Sequence, residues 1–299
     1  MRVFVTGATG WVGSAVVKDL MAAGHSVLGL ARSEESARAL AAVGAEVQRG
    51  SLDDLDVLRD GAARSDGVIH TAFNHDFSKF AQNCEQERLA IEAIGGALEG
   101  SGRPLLVSSG VALLGPGRVT TEEDGPHVTL PAFPRNPELI AGAFAERGVR
   151  VAAIRLSPTT HGMGDHGFVP RLIAIAREKG VAAYVGDGQN RWPATHRFDA
   201  ARLYRLALEH GAEGGPFHSI AEEGVPFRQI TETIGRGLNV PVAAISQEEA
   251  EAHFGWFARF ACVDCPSSSK RTRARLGWQP VQPTLLADLE QRSYFDSAA

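Results

Sequence analysis

Residues 1–32, MRVFVTGATGWVGSAVVKDLMAAGHSVLGLAR, decide the fold. Residues 2–6 are a short β-branched and aromatic run, which predicts a buried strand. Gly7, Gly10 and Gly13 follow at three-residue spacing. Val12, Val16 and Leu20 then recur at helical spacing until Gly24 stops the helix, and residues 27–30 supply a second strand. Strand, glycine turn and helix therefore arrive in the order that a dinucleotide site requires. In that geometry the first glycine permits the tight turn, the second lets a pyrophosphate approach the backbone, and the third lets helix and strand pack closely. The helix N-terminus faces the phosphates with free N–H groups and a partial positive charge. This reading assigns Gly7, Thr9, Gly10, Trp11, Val12 and Gly13 to cofactor contact.

The second strand ends at Ala31, Arg32 and Ser33, where an NAD-selective site would place an acidic residue for the ribose 2′-hydroxyl. Arginine suits a 2′-phosphate instead, which it grips through a bidentate, charge-assisted contact. Arg32 and Ser33 thus favour NADP(H), with NAD(H) as the alternative.

A chain of 299 residues that is 44% hydrophobic can bury one large core or two modest ones. The formal net charge of −5 gives no basic footprint, which argues against nucleic acid and anionic membrane as partners. No apolar run reaches the roughly 18 residues of a transmembrane helix, and Met1 leads directly into the first strand, so a cytoplasmic protein is expected. Cys84, Cys262 and Cys265 do not make a disulfide framework. The C-x-x-C pair lacks both a second pair for zinc and a thioredoxin-like context.

The TGATGWVG spacing resembles the short-chain dehydrogenase/reductase superfamily, in its extended and atypical branches of epimerase/dehydratase-like proteins. The fold implied is α/β, a doubly wound parallel sheet of the Rossmann type with a smaller C-terminal substrate lobe. The expected division is 1–156 plus 197–222 for the dinucleotide-binding domain and 157–196 plus 223–299 for the lobe. Further strands are expected at 45–48, 67–71, 104–107, 149–156 and 216–220. Phe77, Phe80, Ala81, Cys84, Ile91, Ile94 and Leu98 mark one face of a long helix, which packs on the core or forms a homodimer surface. Residues 118–134 read as a loop over the site, followed by an Asn136 cap and Pro137 at the first helical position. The resemblance further implies that Leu52 meets the adenine, with Ser51 standing where the family has an acid. Ala72 and Phe73 run past the cofactor, Ser108 lies at the end of the fifth strand, and Pro158, Thr159 and Thr160 flank the nicotinamide.

The family's usual chemistry uses a serine or threonine, a tyrosine, and a lysine four residues after the tyrosine. Lysine lowers the tyrosine pKa, and the hydroxyl exchanges a proton with the substrate oxygen. This sequence has tyrosines only at 184, 204 and 294, and no lysine between Lys79 and Lys179. Aligned on the sixth strand, Pro134 and Glu138 take the tyrosine and lysine places. Proton-transfer candidates at strand ends are Ser109, His75 and His161. Asn74-His75-Asp76 also suits a helix cap, and Glu138 reads as a first-turn partner of its helix dipole or as a buried acid. His161 and His166 lack a recognised metal spacing, so no metal is expected. Two functions follow: an NADP-dependent oxidoreductase or epimerase/dehydratase-like enzyme acting on a small carbonyl or alcohol, or a non-catalytic NADP(H)-binding sensor.

Overall fold

The computed structural model describes residues 1–296 apart from 113, 116, 127–133 and 213. The dinucleotide-binding half runs β1 (Arg2–Thr6), α1 (Trp11–Ala22), β2 (Ser26–Ala31), α2 (Glu34–Ala42), β3 (Glu46–Arg49), α3 (Leu55–Ala63), β4 (Gly67–His70), α4 (Phe80–Leu98), β5 (Pro104–Gly110), α5 (Pro137–Gly142) and β6 (Arg150–Leu156). Then come β7 (Thr159–His161), α6 (Phe168–Lys179), β8 (Ala182–Val185), β9 (Arg191–His196), α7 (Arg197–Leu206) and β10 (Phe217–Ser219). The chain ends with β11 (Glu222–Pro226), α8 (Phe227–Leu238), β12 (Val242–Ile245), α9 (Ala250–Phe254), α10 (Ala258–Ala261), α11 (Lys270–Leu276) and α12 (Leu285–Leu289).

Seven strands form a parallel sheet in the order β10-β6-β5-β4-β1-β2-β3, the doubly wound arrangement expected from the sequence. The order reverses between β1 and β4, which is the topological switch point where such sheets open a ligand crevice. Strand alternation divides the core. Val3 and Val5 face α1 and α7 with Val16, Leu20 and Leu203, whereas Phe4 faces the opposite layer with Leu58, Ile91 and Ile94. A third core fills the lobe around Trp192, Phe227, Phe257 and Leu285. Trp192 and Phe227 meet edge to face, with 5.0 Å between ring centres.

After the sixth strand, residues 159–161 form β7 and pair in parallel with β9. Two expectations need correction. The α4 stripe is only partly apolar. Cys84, Ile91, Ile94 and Leu98 are buried, but Ala81 is exposed, and Asn83 and Glu87 occupy the buried face instead. Asn83 donates to the carbonyls of Asn74 and Asp76, and Glu87 pairs with Arg135, so polar partners draw that face toward the crevice. Finally, Leu276 and Trp278 belong to the core under the main sheet rather than to the lobe. The Trp278 indole N–H donates to the Asp199 carbonyl at 3.0 Å, while the Asp199 carboxylate accepts from the N–H groups of Val281 and Gln282. Of the expected loop at 118–134, residues 127–133 lie outside the described ones.

Trp278 is fully buried. Replacing it by alanine should therefore cost about 3–5 kcal/mol through lost transfer energy and an unfilled cavity. Urea denaturation checks this; a change below about 1 kcal/mol would show that the C-terminal segment does not support the main core.

Candidate functional site

The glycine turn has the geometry that its spacing predicts. Gly7 has φ of +65°, which favours glycine, and a Cβ there would meet the Ala72 backbone nitrogen at 2.8 Å. A Cβ on Gly13 would lie 2.0 Å from the Gly7 carbonyl oxygen, so the close packing of α1 on the turn excludes any side chain. At Gly10 a Cβ would meet only the Gly7 carbonyl within 3.4 Å. Gly10 caps α1 without a side-chain hydrogen bond, leaving the first turn's N–H groups to an outside acceptor. The Ala72 backbone runs beside this turn.

At the end of β2, Ser33 caps α2 by accepting from the Ser36 N–H at 3.1 Å. Arg32 is exposed. Arg49, at the end of the neighbouring β3, donates to the Ser33 carbonyl and pairs with Glu34, which places a second arginine that the sequence reading missed beside the first. Ser51 is committed to Asp54, whose Oδ2 accepts from the Ser51 N–H and hydroxyl at 2.7 and 2.9 Å. These bonds hold the Asp54 carboxyl below the usual carboxylate range. Leu52 packs on the core beneath.

The Trp11 side chain ties the turn to the lobe. Its indole N–H donates to the Thr160 carbonyl at 2.7 Å, and the Arg197 guanidinium lies 4.1 Å from the indole ring centre while donating to Ser14 at 3.1 Å. His166 packs edge-on against the same ring. Beside it, the Thr159 hydroxyl donates to the Pro193 carbonyl and the Thr160 hydroxyl to the Ser157 carbonyl.

The candidate proton-transfer groups do not form one cluster. His161 is fully buried, with Nδ1 2.8 Å from the Asp288 carboxylate. Asp288 also accepts from Tyr294, whose hydroxyl in turn accepts from the Gly162 N–H, so His161 is bound into the lobe junction. His75 packs edge-on against Phe73. Desolvation lowers its pKa, and the charges on Arg135 and His166 act in the same direction. Asp76 caps the short turn that follows, so the capping reading of this run applies to Asp76. Ser108 and Ser109 are both buried on β5. The Ser108 hydroxyl donates to the His70 carbonyl and lies 2.6 Å from the Tyr204 hydroxyl. Tyr204 thus brings a phenol to β5 from α7, but complete burial raises its pKa and keeps it neutral, the reverse of an activated phenolate.

Glu138 sits in the first turn of α5, as one reading of the sequence has it, and is also committed to an ion pair. Both its oxygens accept from Arg155, at 2.8 and 2.7 Å, and Arg155 is fully buried. Arg155 also donates to the Asp124 carbonyl at 2.8 Å and lies 3.3 Å from His218 Nε2. Burial lowers the His218 pKa to about 4, so it stays neutral beside the guanidinium. The sequence signal was available: RVAAIRL is an otherwise apolar inner strand with an arginine at an inward position.

A Rossmann sheet with a glycine cradle at its switch point and a lobe clamped to it defines a dinucleotide-binding protein of the α/β class. The comparisons narrow this. The NAD dependent epimerase/dehydratase family matches residues 3–126. An uncharacterized protein of Schizosaccharomyces pombe is 50% identical over 99% of this chain and 100% of its own length. A 4-hydroxy-2-methyl-3-oxo-4-farnesyl-3,4-dihydroquinoline-1-oxide ketoreductase of Stigmatella aurantiaca is 28% identical over 85% of this chain and 80% of its own. The solved structure of MoeE5 in complex with UDP-glucose and NAD shares the fold at a TM-score of 0.74 and 22% identity, covering 98% of this chain and 97% of that one. The chain belongs to the NAD dependent epimerase/dehydratase family. Its more distant relatives include reductases, an epimerase and a dehydrogenase. No helix among the described residues is long and apolar enough to cross a membrane.

Removing Glu138 alone leaves Arg155 buried and unpaired, so Glu138→Ala should destabilise the protein by about 3–5 kcal/mol. Glu138→Leu combined with Arg155→Met should cost clearly less than Glu138→Ala. Denaturant midpoints of the two variants decide it, and a double variant no more stable than the single would refute the charge-pair account.

Proposed function

We propose that this chain is an NADP-dependent oxidoreductase acting on a small carbonyl or alcohol substrate held between the carboxyl edge of the sheet and the lobe. The observation that carries the reading is the cradle of Gly7, Gly10 and Gly13, whose close approaches to backbone at Gly7 and Ala72 leave no room for side chains there. When bound, the dinucleotide supplies a hydride donor or acceptor.

The backbone N–H groups of Trp11, Val12 and Gly13 hold the diphosphate, favoured by the helix dipole. Arg32, with Ser33 and Arg49 beside it, takes the 2′-phosphate. Ser51 and Leu52 bound the adenine, Ala72, Phe73 and Ser108 line the far wall, and Pro158, Thr159 and Thr160 flank the reactive ring. With phenolate chemistry gone, proton handling falls to Ser109 and His75. A lowered pKa keeps the His75 imidazole neutral at neutral pH, so it serves as an acceptor for a proton leaving an alcohol. His161, fixed by Asp288, holds the strand beside the crevice. A nucleotide-binding sensor is the reading to which complete absence of turnover would lead.

Two measurements test this. NADPH formation from NADP⁺ across a panel of small alcohols should exceed the protein-free rate for at least one class; tight NADP⁺ binding without any turnover would favour the sensor. Arg32→Asp should weaken NADPH binding about tenfold or more, the scale of a charge-assisted contact, and leave NADH within about twofold. Fluorescence titration reads both, and equal losses would remove the 2′-phosphate role.

A further inference from the structure

Arg135 immediately precedes the Asn136 cap of α5. Its guanidinium sits 4.4 Å from the centre of the Phe73 ring. Nη2 donates to Glu87 at 2.6 Å and to the Ser108 carbonyl at 3.1 Å. Arg135 therefore spans the ends of β4 and β5, on the carboxyl edge where open α/β sheets receive ligands. The side chain retains 20% of its exposure, whereas Glu87 retains only 2%.

A purely structural ion pair explains part of this arrangement. Glu87 accepts through one oxygen from one nitrogen, so the guanidinium fork is not closed by a bidentate carboxylate. Arg135 Nε is buried and has no hydrogen-bond partner among the described residues. A buried donor left unpaired costs about 1–3 kcal/mol, and such groups in folded proteins generally await a ligand or ordered water. Stacking on Phe73 and the pull of Glu87 fix the guanidinium plane before anything binds, which lowers the entropy lost on binding. The imidazoles around it add no competing charge. Burial, assisted by the Arg135 charge, lowers the His70 pKa to about 3, and His75 is shifted the same way. His70 Nε2 is likewise buried without a partner. The local chemistry is a preset cation with neutral neighbours and one buried counter-ion at its back.

We propose that Arg135 is the anion-recognition residue of the substrate side, so that the substrate is an oxo acid or hydroxy acid whose carboxylate lies close to the reacting carbon. This rests on the dinucleotide reading above for what the crevice is, but its test does not depend on turnover. Glu87 is a positioning residue in this scheme, holding the guanidinium from behind.

The probes are oxamate, which carries a carboxylate beside a carbonyl, and oxamide, its uncharged counterpart. Calorimetry on the full chain, with and without NADP⁺, should show oxamate binding about tenfold or more tighter than oxamide, as a charge-assisted contact requires. Arg135→Gln should abolish that preference while NADP⁺ affinity stays within about twofold, because the diphosphate contacts lie elsewhere. Arg135→Gln leaves Glu87 buried and unpaired. The double variant Glu87→Gln with Arg135→Gln removes both charges, and it too should lose the preference while retaining the wild-type melting behaviour. Arg135→Lys should keep part of the preference, as a point charge without the planar fork. Equal binding of the two probes by the wild type, or undiminished oxamate binding by either glutamine variant, would overturn the proposal. Failure of NADP⁺ to bind the wild type would instead count against the cofactor reading, and the comparison without nucleotide would still decide the role of Arg135.

Discussion

The close approach of α1 to the Gly7 carbonyl is the constraint on which the remaining geometry depends. With a hypothetical Gly13 Cβ only 2.0 Å from that oxygen, the helix can begin where it does only if residue 13 has no side chain. That contact sets the height of α1 above the sheet and aims its first N–H groups over the switch point between β1 and β4. Gly7 adds a left-handed turn packed against Ala72, so the chain leaving β4 is fixed to the same point. Three backbone segments thus converge with only the Thr71 hydroxyl packed beside Gly7 and Gly13, and a diphosphate is the kind of group that fits at such a turn.

The lobe is held to this turn through Trp11. A tryptophan immediately after Gly10 would be a surface group if the glycine turn were only a bend, yet its indole N–H reaches the Thr160 carbonyl and its ring carries Arg197. From there the connections continue through covalent neighbours: Thr160 leads to His161, His161 to Asp288, and Asp288 to Tyr294, which holds the backbone of Gly162. Strand β7 and the C-terminal helix α12 are therefore part of one hydrogen-bonded junction. Substitutions at His161, Asp288 or Tyr294 would alter the crevice through this junction, which is the behaviour of positioning residues rather than catalytic ones.

The sheet was legible because its signals are local. A β-branched run, glycines at fixed spacing and a 3.6-residue apolar period each depend on residues that are close in sequence, and they located β1, α1, β2 and the later strands. The candidate site was less legible because its polar partners are far apart in sequence. Arg155 meets Glu138 across 17 positions, His161 meets Asp288 across 127, and Arg135 meets Glu87 across 48. A single sequence shows each of these residues but not the pairing. Glu87 illustrates the consequence: three residues after Cys84 and four before Ile91 it falls on the apolar face of α4, and it can stay buried there because Arg135 is there to meet it. The return of Trp278 to the main core was hidden for the same reason, since 79 residues separate it from its partner Asp199.

The charge pattern around α5 explains why the missing tyrosine and lysine are not simply replaced in place. A positive charge is present near the lysine position, on Arg155, but Glu138 binds it through both oxygens and burial seals the pair. A guanidinium neutralised in this way cannot depress the pKa of a neighbouring hydroxyl as a free ammonium would. Its field is spent locally, on the Asp124 carbonyl and the face of β6. The cation that still reaches the crevice is Arg135, and its electrostatic effect on nearby imidazoles is to keep them neutral. Neutral imidazoles accept protons, whereas a phenol held near a lysine can both give and take them. On the proposed oxidoreductase reading, a bidirectional proton carrier would be replaced by separate groups, a fixed cation to hold charge and a neutral base to collect a proton, with Glu87 and Glu138 each buried against an arginine.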